Sequence, residues 1–340
     1  MTSKQVLEAL LAAPEAPARA GFMLRRLLPA SPLNLFLGWE VSTGSAVMLL
    51  QVPVPTPLHG LENVSTSAVH IGQVRLPDDP VDRRSVVVRL TEKSLLDEFC
   101  LVLDQLLRGL QVIRSAEDAV RMLAARLRAW VQLFSPDSGR MSDEQQRGLT
   151  GELVVLEALA TQSQGWMQAL RAWTGPDRRD RDFNFAQLLI EVKSHLAGGR
   201  DQVRIANEHQ LDSGNGIPPL VLWVVTLAAD KAGMTLPARV ESIRVSLAAA
   251  DPASLVLFEE KIEEAGYSDV QFERETAVAY GVVSHRFYHV SEDFPHVRPS
   301  GLRSGVLNVS YTVDLTECAR FLKDWSHVFD LLGPGISGAI

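Results

Sequence analysis

The chain has 340 residues, 46% hydrophobic and 22% charged, with a formal net charge of -8 and a pI near 5.5. These are the proportions of an ordinary globular protein, long enough for two domains or for one with a substantial elaboration. The acidity argues against a general nucleic-acid coat protein, which would be basic, and no apolar run reaches the length of a membrane span.

Residues 3–13 read as a short helix stopped at Pro14. Glu8 interrupts this apolar stretch, which predicts that it is not a signal peptide. Cys100 and Cys318 stand far apart in apolar helical surroundings. They read as buried thiols, and a cytoplasmic location is the expectation. LNLFLGWEV, Ser-Thr-Gly and SAVMLLQV over 33–53 read as a hairpin, with further strands near Ala68–Leu76 and Ser85–Leu90 and breaks at Pro53, Pro55 and Pro57. Phe36 and Trp39 could stack on bases, but sheet packing is the commoner role, and nothing here chooses a ligand. Leu90–Val112 follows as a long helix with an apolar stripe through Leu95, Leu96, Phe99, Leu103, Leu106 and Leu107. A second helix starts at Ser115, with Glu117 and Asp118 favouring the positive end of its dipole. The expected division is a β-rich module over 1–114 and a second domain over 115–340.

PDSGRMS leads into a third helix, where Ser142 and Gln145 form a capping box. It runs to about Ala160, with Leu149, Leu153, Leu156 and Ala160 on its apolar face and Glu152 among them. A carboxylate beside an apolar stripe needs a partner or a route to solvent. Gly165–Thr174, with Trp166 and Trp173, is predicted to be a first strand. Asp182–Ser194, DFNFAQLLIEVKS, then reads as a hairpin centred between Ala186 and Gln187. Its register pairs Phe183 with Ile190, Asn184 with Leu189 and Asp182 with Glu191. Opposed residues share a face with Cβ atoms about 5 Å apart. Lys193, two residues on, joins that face. Asp182, Glu191 and Lys193 therefore stand together, while Phe183, Phe185, Leu188, Ile190 and Val192 form a core face. Such a set suits Mg²⁺ and phosphate. On spacing alone the plainer reading, an exposed face with a cross-strand ion pair, is favoured.

After Lys193, HLAGGR reads as a loop, Asp201–Ile205 as a short strand and Asn207–Leu211 as a helix. Leu220–Leu227 is a continuous apolar run, the pattern of a strand buried on both faces. Helices are predicted near Val240–Ala249 and Pro252–Ala265, strands over Glu275–Val290 and Val306–Asp314, a closing helix over Thr316–Leu332, and a loose Gly-rich tail. His285, His289 and His296 do not make a zinc set. Strand residues four apart lie roughly 13 Å apart, and no Cys or His completes the spacing. GxxxxGK[ST] and GxSxG are absent, so ATPase and serine-hydrolase readings lack a starting residue.

Asp182 followed by Glu191-x-Lys193 resembles the PD-(D/E)xK nuclease signature. GLTGELVVLEAL resembles that superfamily's first core helix, with Glu152 at the position of its metal-site glutamate. IANEHQL resembles the helix after the ExK strand, with Glu208 and Gln210 at a recurring polar pair. With W-x-GP at Trp173–Pro176, the series resembles one branch found among bacterial restriction and phage-defence genes. The resemblance is densest over 140–225. It departs from the signature in that Asp182 follows Arg181 rather than Pro; Asp177 and Asp180 are taken as loop acids.

The resemblance implies an α/β fold with an αβββαβ core at about 142–228 and a C-terminal elaboration over 229–340. It implies Mg²⁺, with Mn²⁺ able to substitute, held by Asp182, Glu191, the Val192 carbonyl and Glu152. Lys193 would position the attacking water, and Glu208 and Gln210 would hold Lys193 or a phosphate. Arg178, Arg179, Arg181, Arg200 and Arg204 flank the motif as candidate DNA contacts, with Arg171 nearby. The implied activity is DNA endonuclease, in restriction or phage defence, with a methyltransferase or ATPase as possible partners, a homodimer plausible and no membrane. The alternative is a catalytically silent DNA-binding or scaffolding subunit.

Overall fold

The computed structural model of the chain describes residues 1–12, 21–61, 64, 68–76, 80–132, 141–161, 165–177, 180–212, 218–272 and 277–333. The chain divides into two compact units, Met1–Gly139 with Leu255–Arg274, and Arg140–Ser254 with Glu275–Ile340. The expected break at 114/115 falls inside the first unit, because the two helices on either side of it pack on each other. Among the described residues no helix is long and apolar enough to cross a membrane.

The first unit opens with α1 (Ser3–Ala12) and a five-stranded antiparallel sheet. Its strands are β1 (Phe22–Leu27), β2 (Asn34–Glu40), β3 (Ser45–Pro53), β4 (Val69–Val74) and β5 (Arg83–Leu90), in the order β1-β2-β3-β5-β4. The β2–β3 hairpin follows the predicted pattern; β1 was not foreseen. Trp39 donates its indole N–H to the Leu7 carbonyl at 3.0 Å, and Phe36 packs in an apolar cluster with Phe22, Val47, Leu49 and Val87. Both aromatics serve the sheet. The helices α2 (Leu96–Leu110) and α3 (Ala116–Gln132) follow. The chain later returns to this unit with most of α7 (Pro252–Glu264) and with α8 (Asp269–Phe272). Arg126 on α3 reaches Glu259 at 2.9 Å and Asp269 at 2.5 Å, Arg121 reaches Glu260 at 2.6 Å, and Arg128 reaches Glu263 at 3.1 Å. A row of ion pairs thus fastens the returning segment. Cys100 and Cys318 are both free and buried.

The second unit holds α4 (Asp143–Leu159), α5 (Trp166–Ala172), β6 (Phe183–Asn184), β7 (Leu189–Leu196), β8 (Gln202–Ile205), β9 (Leu220–Thr235) and α6 (Leu236–Ala250), then β10 (Ala279–Val290), β11 (Tyr311–Asp314), β12 (Leu322–Lys323) and α9 (Trp325–Leu332). Its main sheet runs β12-β10-β9-β7-β6, with β7 and β9 parallel and the other pairs antiparallel. Strands β8 and β11 form a separate two-stranded sheet. Val203, Ile205, Leu211, Leu222, Val224, Tyr288 and Val313 pack into one core between the two sheets. The predicted buried run Leu220–Leu227 is buried throughout, and its strand continues, more exposed, to Thr235.

Three expectations are corrected. Gly165–Thr174 is not a strand: α5 occupies it, burying Ala169, Leu170 and Ala172 at helical spacing. Without that strand the predicted αβββαβ order is not the observed one. Asn207–Leu211 is a turn rather than a helix, closed by Ala206 N and His209 N donating to the side chains of Gln210 and Asn207. The closing helix is interrupted: a 3-10 segment, Leu315–Phe321, and β12 precede α9. The loop before α4 and the tail after Gly333 fall largely outside the described residues.

Candidate active site

Helix α4 starts where the sequence places it. Ser142 Oγ accepts from Gln145 N at 3.2 Å, and the Gln145 side chain accepts from Ser142 N at 2.8 Å. Gly151 lets the helix lie close on β7, since a Cβ there would stand 3.0 Å from Ser194 Cβ. Ser194 Oγ adds a hydrogen bond to the Arg147 carbonyl at 3.0 Å. The orientation of α4 is therefore fixed where Glu152 projects.

The hairpin has the predicted register, Phe183 opposite Ile190 and Asn184 opposite Leu189, and Phe183, Phe185, Leu188, Ile190 and Val192 are buried as its core face. The ladder ends one residue short of the Asp182–Glu191 pair. Asp182 is held instead by its Oδ2, which accepts from Val192 N at 2.7 Å. Its carbonyl accepts from Thr174 N at 2.7 Å and Gly175 N at 3.1 Å. The neighbouring loop thereby folds back onto Glu152. Trp173 Nε1 donates to Glu152 Oε2 at 2.8 Å, and a Cβ on Gly175 would lie 2.5 Å from that oxygen and 3.0 Å from Asp182 Oδ1. Only glycine leaves this space to the two carboxylates.

Glu191 is fully buried, and neither of its carboxylate oxygens has a hydrogen bond of normal geometry. Its counter-charge is Lys193, whose Nζ stands 2.6 Å from Oε1. Lys193 also donates to Gln210 Oε1 at 3.1 Å, so the expectation that Gln210 holds the lysine describes the observed contact. Desolvation, then the charge of Asp182, pushes Glu191 up to about 8. Desolvation, then Asp182, also pushes Glu152 up to about 8, with Trp173 opposing. Asp182 is raised by desolvation against the pull of Lys193. Desolvation lowers Lys193, but Glu191, Asp182 and Glu152 outweigh it and the net shift is upward. Three carboxylates thus stand around one ammonium, with the Arg181 guanidinium as a further, lesser positive influence on Asp182 and Glu191, and the carboxylates outnumber the cations.

The remaining predicted residues separate. Glu208 does not reach Lys193; it is buried and accepts from Asn308 N at 3.2 Å and Val309 N at 2.7 Å, tying down a distant loop. Arg181 is buried, donating to the Asp180 and Asp212 carbonyls, so it is a structural cation rather than a surface contact for DNA. Arg178 and Arg179 lie outside the described residues. Arg171, Asp177 and Asp180 are exposed. Arg200 and Arg204 line a cleft of about 690 Å³ together with Glu152, Asp182, Val192, Lys193 and Gln210. Arg147 lines it too. Sequence reasoning missed Arg147, although it lies on the same helix as Glu152 and five residues before it. His195 also lines the cleft; Arg286 and Thr226 reach its Nε2 at 2.9 and 3.2 Å, and Arg286 makes a two-point ion pair with Asp201 at 2.6 and 2.7 Å.

Among the described residues no three His, Cys, Asp or Glu side chains already stand as a metal-holding set. The donors nonetheless fit a hard divalent cation, which one or two carboxylates with water and substrate phosphate suffice to bind. Among the described residues Glu191 Oε2 is buried without a hydrogen-bond donor while Oε1 faces Lys193, and Gly175 keeps open the space beside Glu152 and Asp182. Acidic and arginine side chains lining one cleft are an arrangement that can hold a phosphodiester over a cation.

A protein-family model described as "Putative PD-(D/E)XK family member (DUF4420)" matches residues 7–316. No curated protein and no solved structure matches the chain.

Proposed function

Since the chain belongs to this PD-(D/E)XK family, we propose that it is a Mg²⁺-dependent endonuclease that hydrolyses DNA phosphodiester bonds, with a role in bacterial restriction or phage defence. The observation that carries the reading is that Glu152, Asp182 and Lys193, from a helix and a hairpin, line one cleft, with the buried Glu191 paired to Lys193 and Gln210 fixing the lysine.

Asp182 and Glu191, with the Val192 carbonyl and Glu152, would hold Mg²⁺ or Mn²⁺. A bound cation of this kind lowers the pKa of its water and neutralises charge on a phosphate. Lys193, kept protonated by its carboxylate neighbours, orients the attacking water and faces the phosphoryl oxygens as charge develops there. Gln210 removes its freedom to swing away. Arg147, Arg200 and Arg204 meet the flanking phosphates, where each contact contributes affinity that weakens with salt. The attacking water gives up a proton to solvent as its oxygen bonds to phosphorus, the P–O bond to the departing sugar oxygen breaks, and that oxygen takes a proton from solvent.

The test is incubation of the purified chain with plasmid, linear duplex and single-stranded DNA, and with RNA, in Mg²⁺ or Mn²⁺ and in EDTA. Cation-dependent cleavage of a DNA substrate is expected. Metal and DNA binding without cleavage, in the presence of both cations, would replace this reading by that of a silent DNA-binding subunit.

A further inference from the structure

The contact between Trp173 and Glu152 reaches beyond the residues so far given a chemical role. Glutamate has three rotatable side-chain bonds, and a flexible ligand must be ordered before it can serve a cation. Glu152 is ordered in advance. Trp173 is fully buried and sits where α5 ends. Its own N–H donates to the Ala169 and Leu170 carbonyls at 3.0 and 3.2 Å, and it forms an isolated bridge with Phe183 at the start of the hairpin. The backbone carrying the indole is thus pinned from the helix side and from the hairpin side. The indole N–H has no acceptor capacity and a single direction. It occupies Oε2 of Glu152 and leaves Oε1 as the oxygen that no hydrogen bond among the described residues takes. Two residues on, Gly175 closes against the same Oε2.

We propose that Trp173 is a positioning residue for the divalent cation: its indole N–H locks the Glu152 carboxylate in the orientation in which it contributes to the cation site. The inference rests on the nuclease reading above. Partners that hold a metal-binding carboxylate from behind typically change metal affinity 10–100-fold when removed.

The test is Mn²⁺ titration by calorimetry of the unsubstituted chain, Trp173→Phe, Glu152→Ala and the double variant, with thermal melting of each. Trp173→Phe keeps an aromatic ring in the pocket and removes the N–H. The expected result is a loss of Mn²⁺ affinity of roughly 10–100-fold in Trp173→Phe. No further loss is expected when Glu152 is already Ala, and the cleavage rate should recover at saturating Mn²⁺. Equal affinity of a folded Trp173→Phe, or a full additional loss in the Glu152→Ala background, would overturn the role of Trp173 while leaving the cation site standing. An unsubstituted chain that binds no Mn²⁺ would overturn the site itself and this inference with it. A second readout does not depend on the folding of Trp173→Phe. The chain has six tryptophans. In the ¹⁵N spectrum of the unsubstituted chain, one indole N–H resonance should shift on Mg²⁺ titration, and the same one should shift in Glu152→Gln. Absence of an indole resonance that answers both changes would also overturn the proposal.

Discussion

Lys193 Nζ and Glu191 Oε1 stand 2.6 Å apart on β7, two positions from each other, and each is the other's nearest compensation in a buried setting. Lys193→Ala should therefore reduce cleavage by 100-fold or more, on the order of 3 kcal/mol in the barrier. Mn²⁺ affinity should stay within a few-fold, because the carboxylates remain. The sequence alone suggests that this lysine adds little to stability. Burial of Glu191 changes that expectation, since its loss leaves a carboxylate in a dry site without its cation. Melting should show a larger loss at pH 8 than at pH 6, where Glu191 can take up a proton instead.

Stability of the cation-free protein should fall as pH rises from about 5 to 8. The folded state holds Glu191 and Glu152 with values near 8, well above their ordinary range. A raised carboxylate binds more protons folded than unfolded, so its contribution is complete below the unfolded value and is lost as pH climbs through the folded one. Saturating Mg²⁺ should reverse the trend, with proton release on binding. Melting from pH 5 to 8 checks the first statement, and calorimetry in two buffers of different ionisation enthalpy checks the second. Glu191→Gln should flatten the profile; an unchanged slope in that variant would refute the assignment.

Gly175→Ala should damage the site more than the fold. Its methyl would stand 2.5 Å from an oxygen of Glu152, a side chain already held by Trp173. The carboxylate must move. Mn²⁺ affinity should fall roughly 10-fold or more, with a melting temperature within a few degrees of the parent.

In the first unit, Arg126→Ala should destabilise by roughly 3 kcal/mol, because Arg126 supplies buried ion pairs to both Glu259 and Asp269. Arg121→Ala, whose pairs are more exposed, should cost less than about 1 kcal/mol. Urea melts of the two variants give the comparison, and equal effects would contradict it.

Replacing Arg147, Arg200 or Arg204 by Ala should weaken DNA binding without altering Mn²⁺ affinity. Each residue that meets a phosphate should make the plot of log affinity against log salt shallower by about 1. Fluorescence anisotropy on a labelled duplex, in Ca²⁺ to suppress cleavage, measures both quantities.

Local periodicity carried much of the site. The alternation in DFNFAQLLIEVKS gave the register of Phe183 with Ile190, and the capping pair Ser142 and Gln145 gave the start of α4. Leu220–Leu227 was legible because all but Thr226 in it are apolar, as a strand buried on both faces favours. Helix α5 was not, because seven residues between Gly165 and Trp173 carry too little period to distinguish helix from strand. Glu208 was misjudged for a different reason. The backbone N–H groups that satisfy it belong to Asn308 and Val309, a hundred residues away, and no local pattern announces them. Arg181 looked like its charged neighbours in sequence, and only its carbonyl acceptors reveal it as buried.

The return of Leu255–Arg274 to the first unit bears on how the protein is made. Domains generally fold as units during synthesis, the N-terminal one first, at about 5–20 residues per second. Here Glu259, Glu260 and Glu263, with which Arg126, Arg121 and Arg128 pair, are encoded after residue 254, beyond the whole of the hairpin and α4. The earlier-synthesised unit must wait, incomplete, while the ribosome finishes most of the second unit. A gene fragment ending near residue 139 would therefore express three arginines without their acidic partners on α7, and a protein cut to isolate the second unit would need three breaks in the chain rather than one.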